Sequence, residues 1–191
     1  MRPRSSTSNR YPALLLLLTI GLAAVSGCGY HNPYLAGSPE GTGEPVRLYT
    51  SIWPNRTSEA GLESLIFRTT NGWFKKSGMV TLAANPAEAD LVLEGEIVGI
   101  DLPALSYGRH EEASEARLVL ILNLALRRAD DRTVLWQENR LAMDDAYHIA
   151  AGAETTRANQ RQALTRIAED LAERIYLKTL AARQEMVSGD R

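Results

Sequence analysis

Histidine side chains are the first candidates for chemistry in this sequence, because imidazole serves both metal binding and proton transfer. There are only three, His31, His110 and His148, and no spacing among them matches a zinc site. The single cysteine, Cys28, cannot join them once it carries lipid, which its surroundings predict. We therefore expect no metal and no cofactor.

Carboxylates and serines are the other groups that could act on a substrate. Glu111-Glu112 and Asp144-Asp145 are adjacent pairs in predicted loops, where carboxylates are mostly solvated. Ser106 and Ser114 lack the flanking glycines of a nucleophile elbow. The sequence therefore predicts a protein that is not an enzyme.

Arginines are concentrated in two predicted loops. Arg109 lies in the connection before a long leucine-rich strand, and Arg127, Arg128 and Arg132 flank the turn at the far end of that strand. Planar guanidinium groups match phosphate and carboxylate, such as those of an anionic lipid head. Two interpretations remain open: a lipid-binding role and ordinary solvated loop charge.

Cys28 follows the pattern of an export signal. Arg2, Arg4 and Arg10 form a basic region without an acidic residue, and Leu14–Leu18 and Ile20 follow as its apolar region. The whole apolar run, 13–25, has about 13 residues, which is shorter than the roughly 20 that cross a bilayer. The tetrapeptide Val25-Ser26-Gly27-Cys28 is similar to a lipobox, where a bacterial lipoprotein is cleaved before an acylated cysteine. The alternative is ordinary signal cleavage that leaves Cys28 as a free thiol.

Lipid on Cys28 would fix the protein to a membrane. Several acyl chains bind far more strongly than the marginal single chain, so we expect stable anchoring, with palmitate among the acyl groups. The residue after the cysteine is Gly29 and not the Asp of inner-membrane retention. This favours the outer membrane, on its periplasmic side.

Length and charge limit the remaining possibilities. The predicted signal peptide, residues 1–27, holds three arginines and no acid, so its removal takes the net charge from −2 to −5. Nucleic acid is disfavoured as a partner, because such binding needs clustered cations. We expect a lipid-anchored tether over 28–45, with an ordered arm as the alternative, then a single domain over 46–183 and a frayed tail over 184–191.

Hydrophobic periodicity predicts the elements of this domain. The predicted strands are 46–53, 79–83, 90–102, 117–127 and 133–143. One predicted helix follows the turn at 54–58, and the other runs over about 154–182. The order of strand, helix and strand over 46–83 predicts a parallel crossover. Together they indicate an α+β, two-layer sandwich, with two amphipathic helices on one face of a mixed four- to five-stranded sheet. Gly95 and Gly99 are expected on the helix-covered face, where they would permit close approach.

The other face of the sheet is predicted to carry Val119, Ile121, Trp136 and Tyr49 among charged residues. This is more apolar than a solvated surface requires, which indicates a partner-binding surface. The alternative is an ordinary solvated face with single exposed hydrophobic residues.

A known family shares this arrangement. Cys28-Gly29-Tyr30-His31 after the lipobox, a strand leading into Pro54-Asn55-Arg56-Thr57 and a helix, Ala89-Asp90-Leu91 opening a strand, and a long final helix together resemble the LptE lipoproteins. The resemblance covers nearly the whole mature chain, through pattern and spacing more than through one diagnostic motif.

The resemblance implies an outer-membrane lipoprotein that sits as a plug inside the β-barrel LptD and helps to place lipopolysaccharide in the outer leaflet. It also implies lipopolysaccharide contact through basic residues at two places. Arg109 occupies the first, whereas the second, at 150–153, holds no Lys or Arg before Arg157. The alternative function is a lipid-anchored periplasmic adaptor that activates an envelope enzyme or builds a secretion pore.

Overall fold

The computed structural model describes residues 44–107 and 113–189, and in this part six strands and two helices follow one another. In chain order they are β1 (Val46–Thr50), α1 (Leu62–Lys75), β2 (Val80–Leu82), β3 (Leu91–Asp101), β4 (Ala104–Tyr107), β5 (Ala113–Arg128), β6 (Val134–His148) and α2 (Ala153–Gly189). The mixed sheet with two helices confirms an α+β fold. No helix within these residues is long and apolar enough to span a membrane.

All six strands belong to one mixed sheet. β1 lies between β2 and β3 and is parallel to both, which confirms the predicted strand–helix–strand crossover. β5 is antiparallel to β3 on one side and to β6 on the other. The half of the sheet formed by β1, β2 and β3 is therefore parallel, and the half built from the long β5–β6 hairpin is antiparallel.

The sheet has six strands rather than the four to five predicted. The additional strand, β4, lies in a segment predicted to be a polar connection, and it pairs with the beginning of β5. It follows β3 after Leu102-Pro103, where the Pro103 carbonyl accepts a hydrogen bond from the Arg117 N–H at 2.9 Å. Proline has no N–H to donate, so it interrupts the strand and β4 resumes beyond it.

The leucine face of β5 is buried as its alternation predicts. Five leucines, each 0–4% exposed, point from β5 toward the helices: Leu118, Leu120, Leu122, Leu124 and Leu126. They form one hydrophobic core with residues of both helices. In α1, the buried residues Leu62, Ile66, Thr70 and Phe74 recur at every fourth position.

The prediction of two amphipathic helices is correct only in part. Most of the buried residues of α2 lie between Ala163 and Ala182, and its first ten residues are mainly exposed, so the helix as a whole is not clearly amphipathic. It also continues to Gly189, where the sequence suggested a frayed tail from residue 184. Strong helix formers such as Gln184, Glu185 and Met186 account for the extension.

Gly95 and Gly99 do not share a face. Gly95 lies opposite Leu124 on the core side, where the buried indole of Trp53 covers it, and Gly99 lies opposite Ile121 on the other side. A bulge between Ile97 and Gly99 shifts the alternation by one residue, which explains why the prediction fails for Gly99. The group that approaches Gly95 is also not a helix but a loop residue.

The loop after β1 holds Trp53 in place by rejoining the sheet. Pro54 O accepts a hydrogen bond from Ile97 N, and Arg56 N donates to Ile97 O, both at 2.9 Å. The Asn55 side chain then organises the turn that leads to α1. Its Oδ1 accepts from the Thr57 N–H and hydroxyl, and its Nδ2 donates to Glu59 O and to a Glu63 carboxylate.

Candidate partner-binding surface

Strand register defines the surface of the sheet that faces away from the helices, called the outer face here. Val119 pairs with Asp101 and Asp144, and Ile121 pairs with Gly99 and Ala142, which places the side chains of Val119 and Ile121 on this face. Val119 and Ile121 are half-buried neighbours. The structure therefore brings two of the four predicted surface residues together.

Tyr49 lies on the outer face but away from this pair. Tyr49 of β1 pairs with Val92 of β3, and Val92 pairs in turn with Arg127 of β5. Arg127 stands six residues from Ile121 along the strand, which corresponds to roughly 20 Å. Tyr49 and the Val119–Ile121 pair therefore mark opposite ends of the outer face.

Trp136 is not on the outer face, which corrects the sequence-based prediction. It pairs with Leu126, whose side chain points into the core, and the Lys178 ammonium of α2 lies 5.7 Å from its ring centroid. A register shift between Leu126 and Arg127 inserts an extra residue beside the hairpin turn. A slip of one residue moves a side chain to the opposite face, and the sequence does not reveal that slip.

Cross-strand ion pairs cover much of the outer face. Glu94 accepts hydrogen bonds from Arg127 at 3.0 Å and from Arg132, and Glu96 accepts from Arg56 at 2.9 Å and from Asn123 at 3.3 Å. Burial alone would raise the pKa of Glu94, but the two arginines outweigh it and lower the pKa. Nearer Val119, Arg117 lies 3.4 Å from Asp144.

The arginines around the hairpin turn thus have partners within the chain. Arg127 and Arg132 share Glu94, and Arg128 pairs with Asp130 at 2.8 Å, which lowers the pKa of Asp130 to about 2. These ion pairs agree with ordinary surface charge better than with an unoccupied lipid-binding site. Sequence reasoning missed Glu94 and Glu96, although the alternation of β3 could have shown that they share a face.

Glu138 links β6 to α2 on the core side of the sheet. Its Oε1 accepts from Arg174 at 2.9 Å and lies 2.8 Å from the Lys178 ammonium, and its side chain is 16% exposed. Burial would raise the pKa of Glu138, but Arg174 and Lys178 together lower it. The folded state therefore favours the charged carboxylate.

Replacing Glu138 with Gln is expected to lower the free energy of unfolding at pH 7 by about 1–2 kcal/mol, because charge-assisted hydrogen bonds are lost. Since the folded-state pKa lies below the ordinary 4.5, this contribution is complete above about pH 4.5 and disappears as the pH falls through the folded value. Urea denaturation at pH 7 and over a series of decreasing pH values measures both effects, with the difference between wild type and variant shrinking as the pH falls below 4.5. The exposed Asp130→Asn variant serves as the control, with little change expected at pH 7.

Two predicted sites lie outside the described residues. Cys28, the tether up to residue 43 and Arg109 all fall there, so the predicted lipidation and lipopolysaccharide contact stay predictions. Arg157, the first basic residue after 150–153, is exposed near the start of α2. Among the described residues no group of three His, Cys, Asp or Glu is placed to hold a metal ion.

The fold belongs to a class found in bacterial lipoproteins. Lipoprotein B from Nitrosomonas europaea is 13% identical with a TM-score of 0.52, over 74% of this chain and 86% of that one. The rare lipoprotein B of Shewanella oneidensis is 14% identical with a TM-score of 0.50, over 74% and 98% of the two chains. A Xanthomonas campestris protein is 14% identical with a TM-score of 0.50, over 74% of this chain and 89% of that one. At such identities the likeness shows the fold alone.

The family is defined by sequence. The model of the LptE family, described as lipopolysaccharide-assembly, matches residues 46–179. This span begins with β1 and ends inside α2, so it includes the whole sheet. The chain therefore belongs to the LptE family, as its motifs indicated. No curated protein matches the sequence.

Proposed function

We propose that this protein is an outer-membrane lipoprotein, anchored through Cys28, that plugs and supports an LptD-type β-barrel during assembly of lipopolysaccharide into the outer leaflet. One observation carries the proposal: the LptE family model covers the domain from the first strand into the last helix. The role is that of a binding partner and not of an enzyme.

The outer face suits a partner whose inner wall is polar. The lumen of an outer-membrane barrel is lined by polar side chains. A plug therefore needs both positively and negatively charged hydrogen-bonding groups and few apolar contacts. Glu94, Glu96 and their arginines supply such groups in neutralised pairs. Val119 and Ile121 add a small apolar contact at one end of this face.

Tyr49 extends the proposed contact to the other end of the outer face. It is half-buried, and its ring offers apolar area together with a hydroxyl, a combination enriched at protein interfaces. Trp136 is not part of this proposal, because it packs against α2. Arg109 remains the candidate for lipopolysaccharide contact.

Placing a charge at the apolar end of the outer face is expected to weaken barrel binding. We expect Val119→Glu and Ile121→Lys to reduce co-purification of the barrel at least tenfold. The first adds a carboxylate between Asp101 and Asp144, and each variant buries an unpaired charge at the interface. The measurement is the amount of barrel recovered with tagged lipoprotein from detergent-solubilised outer membranes.

The matched control is Leu177→Lys. Leu177 is an apolar residue of α2 that is 39% exposed, and the helix lies on the opposite side of the sheet. We expect this variant to recover as much barrel as the wild type. Equal recovery with all three folded variants, judged by circular dichroism, would exclude the outer face as the contact surface.

A further inference from the structure

The strand β6 contains a bulge near its middle. Among the described strands β6 pairs only with β5, so it forms one edge of the sheet. Its register shifts between the pairings with Leu122 and Leu124, so Asn139 and Arg140 both stand opposite Asn123. The two leucines point into the core, and alternation on either side of the bulge therefore places the exposed side chains of Asn139 and Arg140 on the outer face.

Arg140 has a backbone conformation that favours glycine. Its φ is 53°, in the left-handed region, where the Cβ of an ordinary residue crowds the following carbonyl. The Asn123 side chain holds this conformation, because its Oδ1 accepts a hydrogen bond from the Arg140 N–H at 2.9 Å and its Nδ2 donates to Glu96 at 3.3 Å. Since that contact uses only the backbone N–H of Arg140, glycine would form the same bulge with less strain. The bulge itself therefore does not require an arginine side chain.

The guanidinium of Arg140 has no partner within residues 44–107 and 113–189. Four other arginines of the outer face each lie within ion-pair distance of a carboxylate: Arg56, Arg117, Arg127 and Arg132. Arg140, in contrast, is exposed and forms no ion pair in these residues. The outer face thus presents a cation that its own carboxylates do not neutralise, on a backbone that is held in a strained conformation.

The surroundings of Arg140 favour a protein carboxylate as its partner over a lipid phosphate. Ala142, two residues further along β6 and roughly 7 Å away, pairs with Ile121, so Arg140 lies beside the apolar end of the outer face. Arginine next to apolar contacts is typical of protein interfaces. An anionic lipid surface would instead require a cluster of unpaired cations, and the arginines named above are already paired.

We propose that Arg140 sets the docking of the outer face on the barrel by pairing with a single carboxylate, an Asp or Glu side chain of the inner wall. The inference rests on the proposed plug function and specifies the chemistry of one contact within it. A guanidinium binds a carboxylate through two parallel hydrogen bonds, so this pair fixes orientation as well as adding attraction. The bulge directs the arginine toward that partner from the edge of the sheet.

The test compares barrel recovery by variants of Arg140. Tagged wild-type, Arg140→Gln, Arg140→Gly and Arg140→Lys proteins are purified at low salt from detergent-solubilised outer membranes. We expect the Gln and Gly variants to recover at least fivefold less barrel than the wild type, and the Lys variant, which keeps the charge without the planar fork, to recover an intermediate amount. Arg68→Gln is the matched control and should recover as much as the wild type, because Arg68 is an exposed arginine of α1 without an ion pair in the described residues.

The Gly variant separates a docking role from a structural one. Glycine adopts positive φ without strain, so the urea midpoint of Arg140→Gly should equal or exceed that of the wild type while barrel recovery falls. The Gln variant keeps the strained backbone and should also keep the wild-type midpoint. If both variants instead lost stability in parallel with barrel recovery, Arg140 would belong to the fold and the docking role would be wrong.

Photo-crosslinking identifies the partner directly. The crosslinker p-benzoylphenylalanine in place of Arg140 should attach to the barrel near an Asp or Glu, and changing that carboxylate to Lys should restore binding by the Arg140→Glu variant. A cross-link to lipopolysaccharide and none to the barrel would overturn the choice of a protein partner. Equal barrel recovery by the wild type and by the Gln and Gly variants would overturn the inference and leave the plug function standing, whereas a wild-type preparation without a barrel would overturn both.

Discussion

Replacing Gly95 with alanine is expected to lower the free energy of unfolding by about 3 kcal/mol, because the new methyl group overlaps a buried ring. A Cβ at this position would lie 2.3 Å from Cδ2 and 2.5 Å from Cε2 of Trp53, whose side chain is 5% exposed. The indole cannot move outward without opening the core, since Pro54 and Arg56 hold its loop against β3. Urea denaturation followed by circular dichroism measures the loss.

Gly99→Ala is the matched control. Gly99 lies in the same strand, and an added Cβ would meet nothing within 4 Å. We expect a change of less than about 1 kcal/mol, with either sign. Equal destabilisation by the two substitutions would show that β3 needs glycine for its backbone and not for the approach of Trp53. Trp53→Leu should recover part of the loss in the Gly95→Ala background.

Replacing Cys28 with alanine is expected to release the protein from the membrane. The experiment uses the chain from residue 28 behind a signal peptide of ordinary cleavage site, so that an uncleaved leader cannot act as an anchor. We expect the variant in the soluble periplasmic fraction, folded, and without incorporated palmitate, because no other residue of the proposed lipobox can accept the lipid. Membrane fractionation and palmitate labelling measure both properties.

Tyr30→Ala, two residues beyond the cysteine, is the control and should stay in the outer-membrane fraction. Palmitate incorporation by the Cys28→Ala variant, or its retention in membranes that lack the barrel, would contradict the anchor.

Elements that depend on long, regular patterns could be predicted from the sequence. The five leucines of β5 alternate without interruption, and all of them are buried. The order of a strand, a helix and a second short strand predicted a parallel crossover, and β1 and β2 are parallel. In both cases local periodicity and tertiary packing favour the same structure.

Features that depend on register or on a distant partner could not be predicted. Trp136 was assigned to the wrong face because one extra residue near the hairpin turn shifts the register of β6, and no sequence pattern indicates that shift. Gly95 was expected to meet a helix, but Trp53 reaches it through a loop that departs from β1 and rejoins the sheet. β4 was missed because a proline separates it from β3.

In the candidate site too, features set by local periodicity could be predicted, and features set by register or by a distant partner could not. Alternation along β5 correctly placed Val119 and Ile121 on one face. The pairing of Arg127 and Arg132 with Glu94 depends on which residue of β3 lies opposite them, and the sequence does not show this. The two arginines were therefore considered for lipid binding, although both already have an ion-pair partner within the chain. Arg183 near the end of α2 is buried, and its Nη2 donates to Glu44 O, a contact between distant parts of the chain that no local pattern predicts.

The most direct test of the central claim is the stoichiometry of the native complex. C-terminally tagged wild-type protein is purified from detergent-solubilised outer membranes, and its companions are identified and counted by mass spectrometry. The account predicts one large β-barrel protein of the LptD type for each copy of this chain. Recovery of several copies of the chain alone, or of a periplasmic enzyme in place of a barrel, would contradict the plug function and favour a pore builder or an adaptor.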